Sequence, residues 1–423
     1  MTDVVIRAHE IALDLNNVEK TKFSRAAGCA RVAYNWALER WGEQYAAWRD
    51  WNENGRVGEA SPKPTEVSLR RELNAIKAEQ FPWMYESTKC APQEAIRALG
   101  VAFKNFFAGR AAYPAKKRWR TARRAFTVSS GQFTFDGYLI RVPNIGWVKM
   151  REKLRWDDAR PLSVTFHERA GRWFASVRCE VPGDQITKPH TNPGTVVGVD
   201  LGVREYATSD GELMGLPRSY RANEEKLRRA QKSLSRRRGP DRRTGQVASN
   251  RWKRQNEKVR RIHRKTADIR KDWTHKLSND IASRYETVVL EGLNVTGMTK
   301  YRRLSKSVLD ANFAEFRRQI EYKTQDHLGR LILADRWFPS SKKCSTCGAV
   351  RTAKLSLSIR AWVCADCGAT HHRDINAAVN LRDLAVSSTV TGRGALLAAV
   401  LPEQIARAGQ AVATKRQSDS NAA

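Results

Sequence analysis

Two pairs of cysteines and three acidic residues carry the chemistry that this sequence offers. Cys344-Ser-Thr-Cys347-Gly and Cys364-Ala-Asp-Cys367-Gly are two knuckles separated by sixteen residues. In each, the glycine lets the backbone turn tightly behind the second thiolate. Four thiolates close a tetrahedral Zn2+ site and leave no open position, so the metal expected there is structural. A redox pair of CxxC motifs is the alternative, and the strand-like Trp362-Val363 between the knuckles does not favour it. His371 and His372 lie close by, but a complete four-thiolate site has no need of them. They are expected near substrate or on the surface.

The acidic residues are Asp200, Glu291 and Asp374. Asp200 follows the β-branched run Thr195-Val-Val-Gly-Val, and Glu291 closes Thr287-Val-Val-Leu. A carboxylate in a buried strand is costly unless it binds something. Asp374 opens an amphipathic helix. Carboxylates from strand, strand and helix converge only through tertiary folding, and then form an oxygen-rich nest suited to Mg2+. Two such ions can activate a water and stabilise the leaving oxygen in phosphodiester hydrolysis. Each motif alone has a plainer reading, because a strand Asp before Gly is common and Asp374 can simply cap its helix. The three in order, with a basic helical insertion between the first two, make a nuclease pattern.

The elements that must position these groups are partly legible. Apolar residues recur at helical spacing from Phe23 to Trp48, and again through Ile96, Leu99, Phe103, Phe106 and Phe107 to a stop at Gly109. Their aromatics read as core rather than as stacking platforms. The turn Lys116-Lys117-Arg118-Trp119-Arg120, continued by Arg123 and Arg124, interleaves cations with an aromatic and suits phosphate contact plus stacking. Alternating segments at 133–135, 138–142, 163–166 and 172–181 read as antiparallel strands of a small barrel or sheet. A linker follows, from Pro182-Gly183 to Pro193-Gly194. Between Arg218 and Lys271 there are 21 Lys and Arg against 5 Asp and Glu, half of the chain's net charge. Helices flank a break there at Gly239-Pro240, and Ile262, Ile269, Trp273, Leu277 and Ile281 give the second one a buried stripe.

Across all 423 residues the formal charge is +32, which calls for a polyanionic partner, and nucleic acid fits better than a membrane surface. The opening MTDVVIRAHEIALDL lacks the apolar core of a signal peptide, and the longest apolar run, Ala395 to Leu401, is too short to span a bilayer. Cys29, Cys90 and Cys179 stand singly and are expected as buried free thiols of a cytoplasmic protein.

In this order the motifs resemble the TnpB nucleases of bacterial insertion sequences, relatives of the compact type V CRISPR effectors. The match rests on GVDLGV at 198–203, VVLEGLNV at 288–295, FPSSKKCSTCG at 338–348 and CADCGATHHRDINAAVNL at 364–381. It extends to AYNWAL at 33–38 and to the Lys116-Lys117-Arg118 turn, and covers the chain to about 385. The resemblance implies an α+β multidomain fold. An RNase H-like (RuvC) nuclease domain would span 194–385, with a basic helical insertion (218–285) and a zinc ribbon (341–369). A helical recognition lobe would occupy 15–122, a β-barrel wedge domain 1–14 and 123–193, and a mobile tail 386–423.

By the same resemblance Asp200, Glu291 and Asp374 form the triad that holds two catalytic Mg2+, and Cys344, Cys347, Cys364 and Cys367 hold one Zn2+. The partners implied are a guide RNA from the element's end and double-stranded target DNA, with one protein per RNA and no membrane. Base pairing would read the sequence while the protein reads a short flanking motif. Contacts to nucleic acid are expected at Lys116, Lys117, Arg118, Arg120, Arg236, Arg237, Arg254, Arg261 and Arg373. An unguided transposase or nuclease, and a guided repressor that no longer cuts, are the alternatives. Gly292 stands where the family often has a second acidic residue.

Overall fold

The computed structural model describes residues 4–56, 61–119, 121–156, 158–241, 243–301, 304–352 and 359–391. It divides into two compact units, Met1–Gln185 and Ile186–Ala423, with the division inside the expected linker.

The first unit contains β1 (Val4–Ala12), α1 (Asn17–Glu53), α2 (Glu66–Gln80), α3 (Cys90–Phe107), β2 (Ala125–Ser129), β3 (Thr134–Asp136), β4 (Leu139–Val142), β5 (Gly146–Lys149), β6 (Arg160–Arg169) and β7 (Arg172–Pro182). Asn16 starts α1 with a capping box, its side chain accepting from Glu19 N while Glu19 accepts from Asn16 N. The helical aromatics are core, as their spacing predicts. Trp41 of α1 stacks on Phe103 of α3 at 4.2 Å, and Phe23 meets Phe126, Phe166 and Trp173 of the sheet edge-on at 5.1–5.4 Å. The strands expected to form a barrel lie in two antiparallel sheets, β1-β7-β6-β2 and β3-β4-β5, joined at a bridge between Leu13 and Met150.

A short turn, α4 (Gly183–Ile186), precedes the second unit's sheet strands β8 (Asn192–Leu201), β9 (Glu205–Thr208) and β10 (Leu213–Gly215). The insertion follows as α5 (Ser219–Ser235) and α6 (Asn250–Arg284), then β11 (Tyr285–Glu291), α7 (Val295–Lys300), α8 (Ser305–Ala311), α9 (Phe313–Asp326) and β12 (Arg330–Ala334). Last come the hairpin β13 (Ala361–Val363) and β14 (Thr370–His372), and α10 (Arg373–Thr391). The sheet order is β10-β9-β8-β11-β12, antiparallel as far as β8 and parallel from β8 to β12. This is the mixed sheet of an RNase H-like domain.

Strand side chains alternate between faces. Val197, Val199, Leu201, Val288 and Leu290 pack on one side with Ile281 of α6 and Phe313, Phe316 and Ile320 of α9. Val196, Val289 and Ile332 pack on the other with Leu381 and Ala385 of α10. Because α10 continues to Thr391, the tail expected from 386 begins inside a helix, and its remainder lies outside the described residues. Among the described residues no helix is long and apolar enough to cross a membrane.

Candidate functional site

Strand parity decides where the acidic residues go. Asp200 shares the α10 face of β8 with Val196 and Gly198, and Glu291 shares that face of β11 with Val289. Val199 pairs with Leu290 in parallel register, so Asp200 and Glu291 come level at the carboxyl ends of adjacent strands. Open α/β sheets bind ligands at that end. The helix arrives through Gly198. A β-carbon there would lie 2.0 Å from the Ala378 carbonyl oxygen and 2.6 Å from Arg382 N, so α10 rests directly on the strand backbone. Its first turn carries Asp374, which is 5% exposed.

Asp200 lies within electrostatic reach of both other carboxylates. Burial, then the negative charges of Glu291 and Asp374, push the Asp200 carboxyl well above its usual range, with Arg373 opposing. A hydrogen bond between Asp200 and Glu291 acts in the same direction. Like charges packed in a dry site suppress ionisation until a cation relieves them.

Several groups around this cluster carry no local signal in the sequence. Ser340 Oγ donates to Glu291 Oε1 at 2.6 Å, and Arg360 is ion-paired with Asp374. Glu205, His372 and Asp374 offer ligand atoms within 4.8 Å of one another. The β8–β9 hairpin, which returns Tyr206 opposite Leu201, is what brings Glu205 to the cluster. Gly292 also finds its reason here. A β-carbon at 292 would lie 2.7 Å from the Ala334 carbonyl oxygen on the neighbouring strand, which leaves no room for an acidic side chain.

The cysteine knuckles repeat each other. Cys344 N donates to Ala349 O and Cys364 N to Ala369 O, while Gly348 and Gly368 take φ of 78° and 71°. The four sulfurs lie within 4.8 Å of one another, with Cys344–Cys367 and Cys347–Cys364 separations of 3.7 Å. A tetrahedron with metal–sulfur bonds of about 2.3 Å has edges of about 3.8 Å, so the set fits one structural Zn2+. His371 is neither at the surface nor free for substrate. The β13–β14 hairpin pairs it with Trp362, and its Nε2 lies 3.0 Å from Cys344 Sγ. A ring donor on a thiolate is the kind of support that orients metal ligands. The knuckles are tied to α10 by Asn376 and Asn380, whose amides both donate to Lys343 O, and by Ser345 N, which donates to Asn376 Oδ1.

A protein of Streptomyces pristinaespiralis, named provisionally as an RNA-guided DNA endonuclease, is 35% identical over 93% of this chain and 93% of its own length. The chain belongs to the TnpB family. InsQ of Escherichia coli K12, with the same provisional name, is 29% identical over 89% of the chain and 91% of its own length. A Mycobacterium tuberculosis H37Rv relative is 30% identical over 92% and 88%. Within the TnpB chain, residues 176–302 match a family described as a probable transposase (OrfB of IS605), and 313–381 match a Cas12f1-like TNB domain. Residues 1–49 match a helix-turn-helix domain, and those of them described here form β1 and most of α1. A solved Cas12f1–sgRNA–target DNA complex aligns over 90% of this chain and 99% of its own at 12% identity and a TM-score of 0.48.

The basic residues singled out in the TnpB sequence fall in different settings. Lys116 is ion-paired with Glu39. Lys117 is half-buried, its ammonium 3.7 Å from the Tyr34 ring centroid, and burial holds it below the usual lysine range. Its backbone is clamped by Asn35, which accepts from Lys117 N at 2.8 Å and donates to Lys117 O at 3.0 Å. Arg118 is exposed, and Arg120 lies outside the described residues. On the insertion, Arg236, Arg254 and Arg261 are exposed and Arg237 is half-buried, beyond a small core of Leu227, Ala230, Val259 and Ile262. Arg373 lies close enough to Asp200 to lower its pKa.

Proposed function

We propose that this TnpB chain is an RNA-guided, Mg2+-dependent DNA endonuclease of a transposable element, cutting target DNA beside a short element-specific motif. The reading is supported by the placement of Asp200 and Glu291 at the carboxyl ends of adjacent parallel strands, with Asp374 opening the helix packed on the same face and the Asp200 carboxyl pushed up by burial and by both acidic neighbours. Near-full-length similarity to relatives named as RNA-guided DNA endonucleases supports the substrate and the guide.

The three carboxylates would hold two Mg2+, which when bound supply Lewis-acid assistance to the attacking water and the leaving oxygen. The chain's own groups do the positioning. Asp200, whose carboxyl is pushed up by burial and by its acidic neighbours, and Glu291 would present their oxygens to the cations. Ser340 orients one oxygen of Glu291, and α10, seated on Gly198, fixes Asp374. Arg373 stands beside Asp200, where the phosphodiester would be drawn in. One Zn2+ on Cys344, Cys347, Cys364 and Cys367 would hold the ribbon without touching substrate. The exposed cations of the insertion and Arg118 would meet nucleic-acid backbone, with one protein per RNA, in the bacterial cytoplasm.

Sequencing the RNA that co-purifies when the protein is expressed with its native flanking DNA tests the guide. A single structured species ending in sequence from beyond the element is expected. Random host fragments alone would leave an unguided nuclease or transposase. Asp200→Ala should abolish cleavage while binding persists; surviving cleavage would remove the triad assignment.

A further inference from the structure

Trp337 is 79% exposed, the most exposed large apolar side chain among the described residues. Its exposure is built in. The turn that carries it is closed on one side by Trp337 N donating to Asp335 Oδ1 at 2.7 Å and by Phe338 N donating to Asp335 O at 3.1 Å. On the other side Phe338 packs into the cluster of Val289, Ala334, Leu381 and Ala385. The indole is therefore held out into solvent by a fixed backbone and gives up little freedom when something covers it. The Arg336 guanidinium stands 5.0 Å from the ring centroid, and among the described residues it has no carboxylate partner.

The position of this pair restricts what can cover it. The turn leaves the carboxyl end of β12 and closes over Glu291. Arg336 N would lie 3.6 Å from a β-carbon on Gly292, and Ser340 Oγ bonds Glu291 directly. An occupant must combine a flat apolar face with nearby negative charge and reach the carboxylate cluster. A nucleotide has both, but in a duplex its base faces are already stacked. Only an unpaired strand has faces to offer, and base–aromatic stacking accepts any base.

We propose that Trp337, flanked by Arg336, is the platform on which an unpaired base of the DNA strand being cut stacks beside the scissile phosphate. This deepens the reading of the carboxylate cluster as a DNA-cutting centre and rests on it. The indole fixes the strand's height over the carboxylates, and the guanidinium neutralises the adjoining phosphate.

The test is single-turnover cleavage by the guide-loaded protein of target DNA carrying one abasic nucleotide, walked along the cut strand. In the wild type one position near the cut should slow cleavage about tenfold, the loss expected for one stacked base. Trp337→Ala should slow cleavage of intact DNA about tenfold and lose sensitivity at that position, while Trp337→Phe keeps most of both. Trp337→Leu, apolar but without a π face, should behave like Ala. A Trp337→Ala rate within about twofold of wild type, or full rescue by Leu, overturns the proposal. If the wild type cuts no DNA, the reading of the centre fails, and the platform is judged by binding instead. In an Asp200→Ala background, Trp337→Ala must still weaken affinity for a single-stranded oligodeoxynucleotide about tenfold, and unchanged affinity overturns it.

Discussion

Ser340 and Glu291 are 49 residues apart in the chain, yet the serine hydroxyl donates to the glutamate carboxylate across 2.6 Å. Ser340 is almost fully buried and stands between β12 and the first cysteine knuckle, where Asn380 also bonds its carbonyl oxygen. The contact joins the segment that leads into the ribbon to a carboxylate at the carboxyl end of an inner strand.

Ser340→Ala should therefore act on metal binding before it acts on fold. Groups that orient metal ligands are typically worth about 10–100-fold in affinity or activity. The Mg2+ concentration for half-maximal cleavage should rise about tenfold, with Ser340→Thr close to wild type. An unchanged Mg2+ titration would show that Glu291 needs no such support.

Asp200 gives a pH prediction with a definite sign. Its folded-state pKa is raised by burial and by Glu291 and Asp374, so without metal the folded protein binds more protons than the unfolded chain above the ordinary carboxyl range. The associated stability is present below about pH 4, the unfolded Asp value, and is lost as pH rises through the folded value. In EDTA at pH 8, Asp200→Asn should melt above wild type, by about 2–4 °C for each kcal/mol relieved. The gap should close towards pH 4 and shrink when Mg2+ is added. Equal melting curves at pH 8 would mean that the carboxylates are not crowded.

Two glycine substitutions should have opposite effects. Gly198→Ala drives a methyl into the Ala378 carbonyl, so α10 must lift from β8. The expected cost is about 3 kcal/mol, with cleavage lost because Asp374 moves too. Gly42→Ala, inside α1 with open space around its β-carbon, should stabilise by about 1 kcal/mol. Chemical denaturation of both variants measures the difference.

Cys364→Ser should lose zinc and with it the ribbon's folding free energy. Metal analysis should fall from one equivalent to none, and the ribbon should become sensitive to protease. His371→Ala, which removes only the ring beside Cys344 Sγ, should keep zinc but release it faster to a chelator. Full zinc retention by Cys364→Ser would contradict a four-thiolate site.

The sequence announced those parts of the site whose residues are out of place locally. Carboxylates at the ends of β-branched runs and thiolates at fixed spacing are visible because their neighbours would otherwise exclude them. The groups that hold them were not visible. Ser340, Arg360, Asn376 and Asn380 are ordinary polar residues whose partners lie 14 to 49 positions away. Lys117 was legible only in part, since the basic turn reads as a phosphate contact and only the fold lays Tyr34 beside its ammonium. Among the elements, α1 and α3 carry long apolar stripes and were legible. The helix α2 buries only Leu69 and Leu73 and gave too thin a pattern.

The seat of α10 on Gly198 has one more consequence. A helix carbonyl occupies the volume where a side chain would begin, so advancing the helix along the strand would bring it against the side chains that flank Gly198 on that face, Val196 and Asp200. Asp374 and Asp200 then form a rigid frame whose spacing is fixed when the protein folds. Any gating of the reaction must come from parts with room to travel, such as the Arg360 side chain on Asp374. In this enzyme timing would belong to the rim of the site and geometry to its floor.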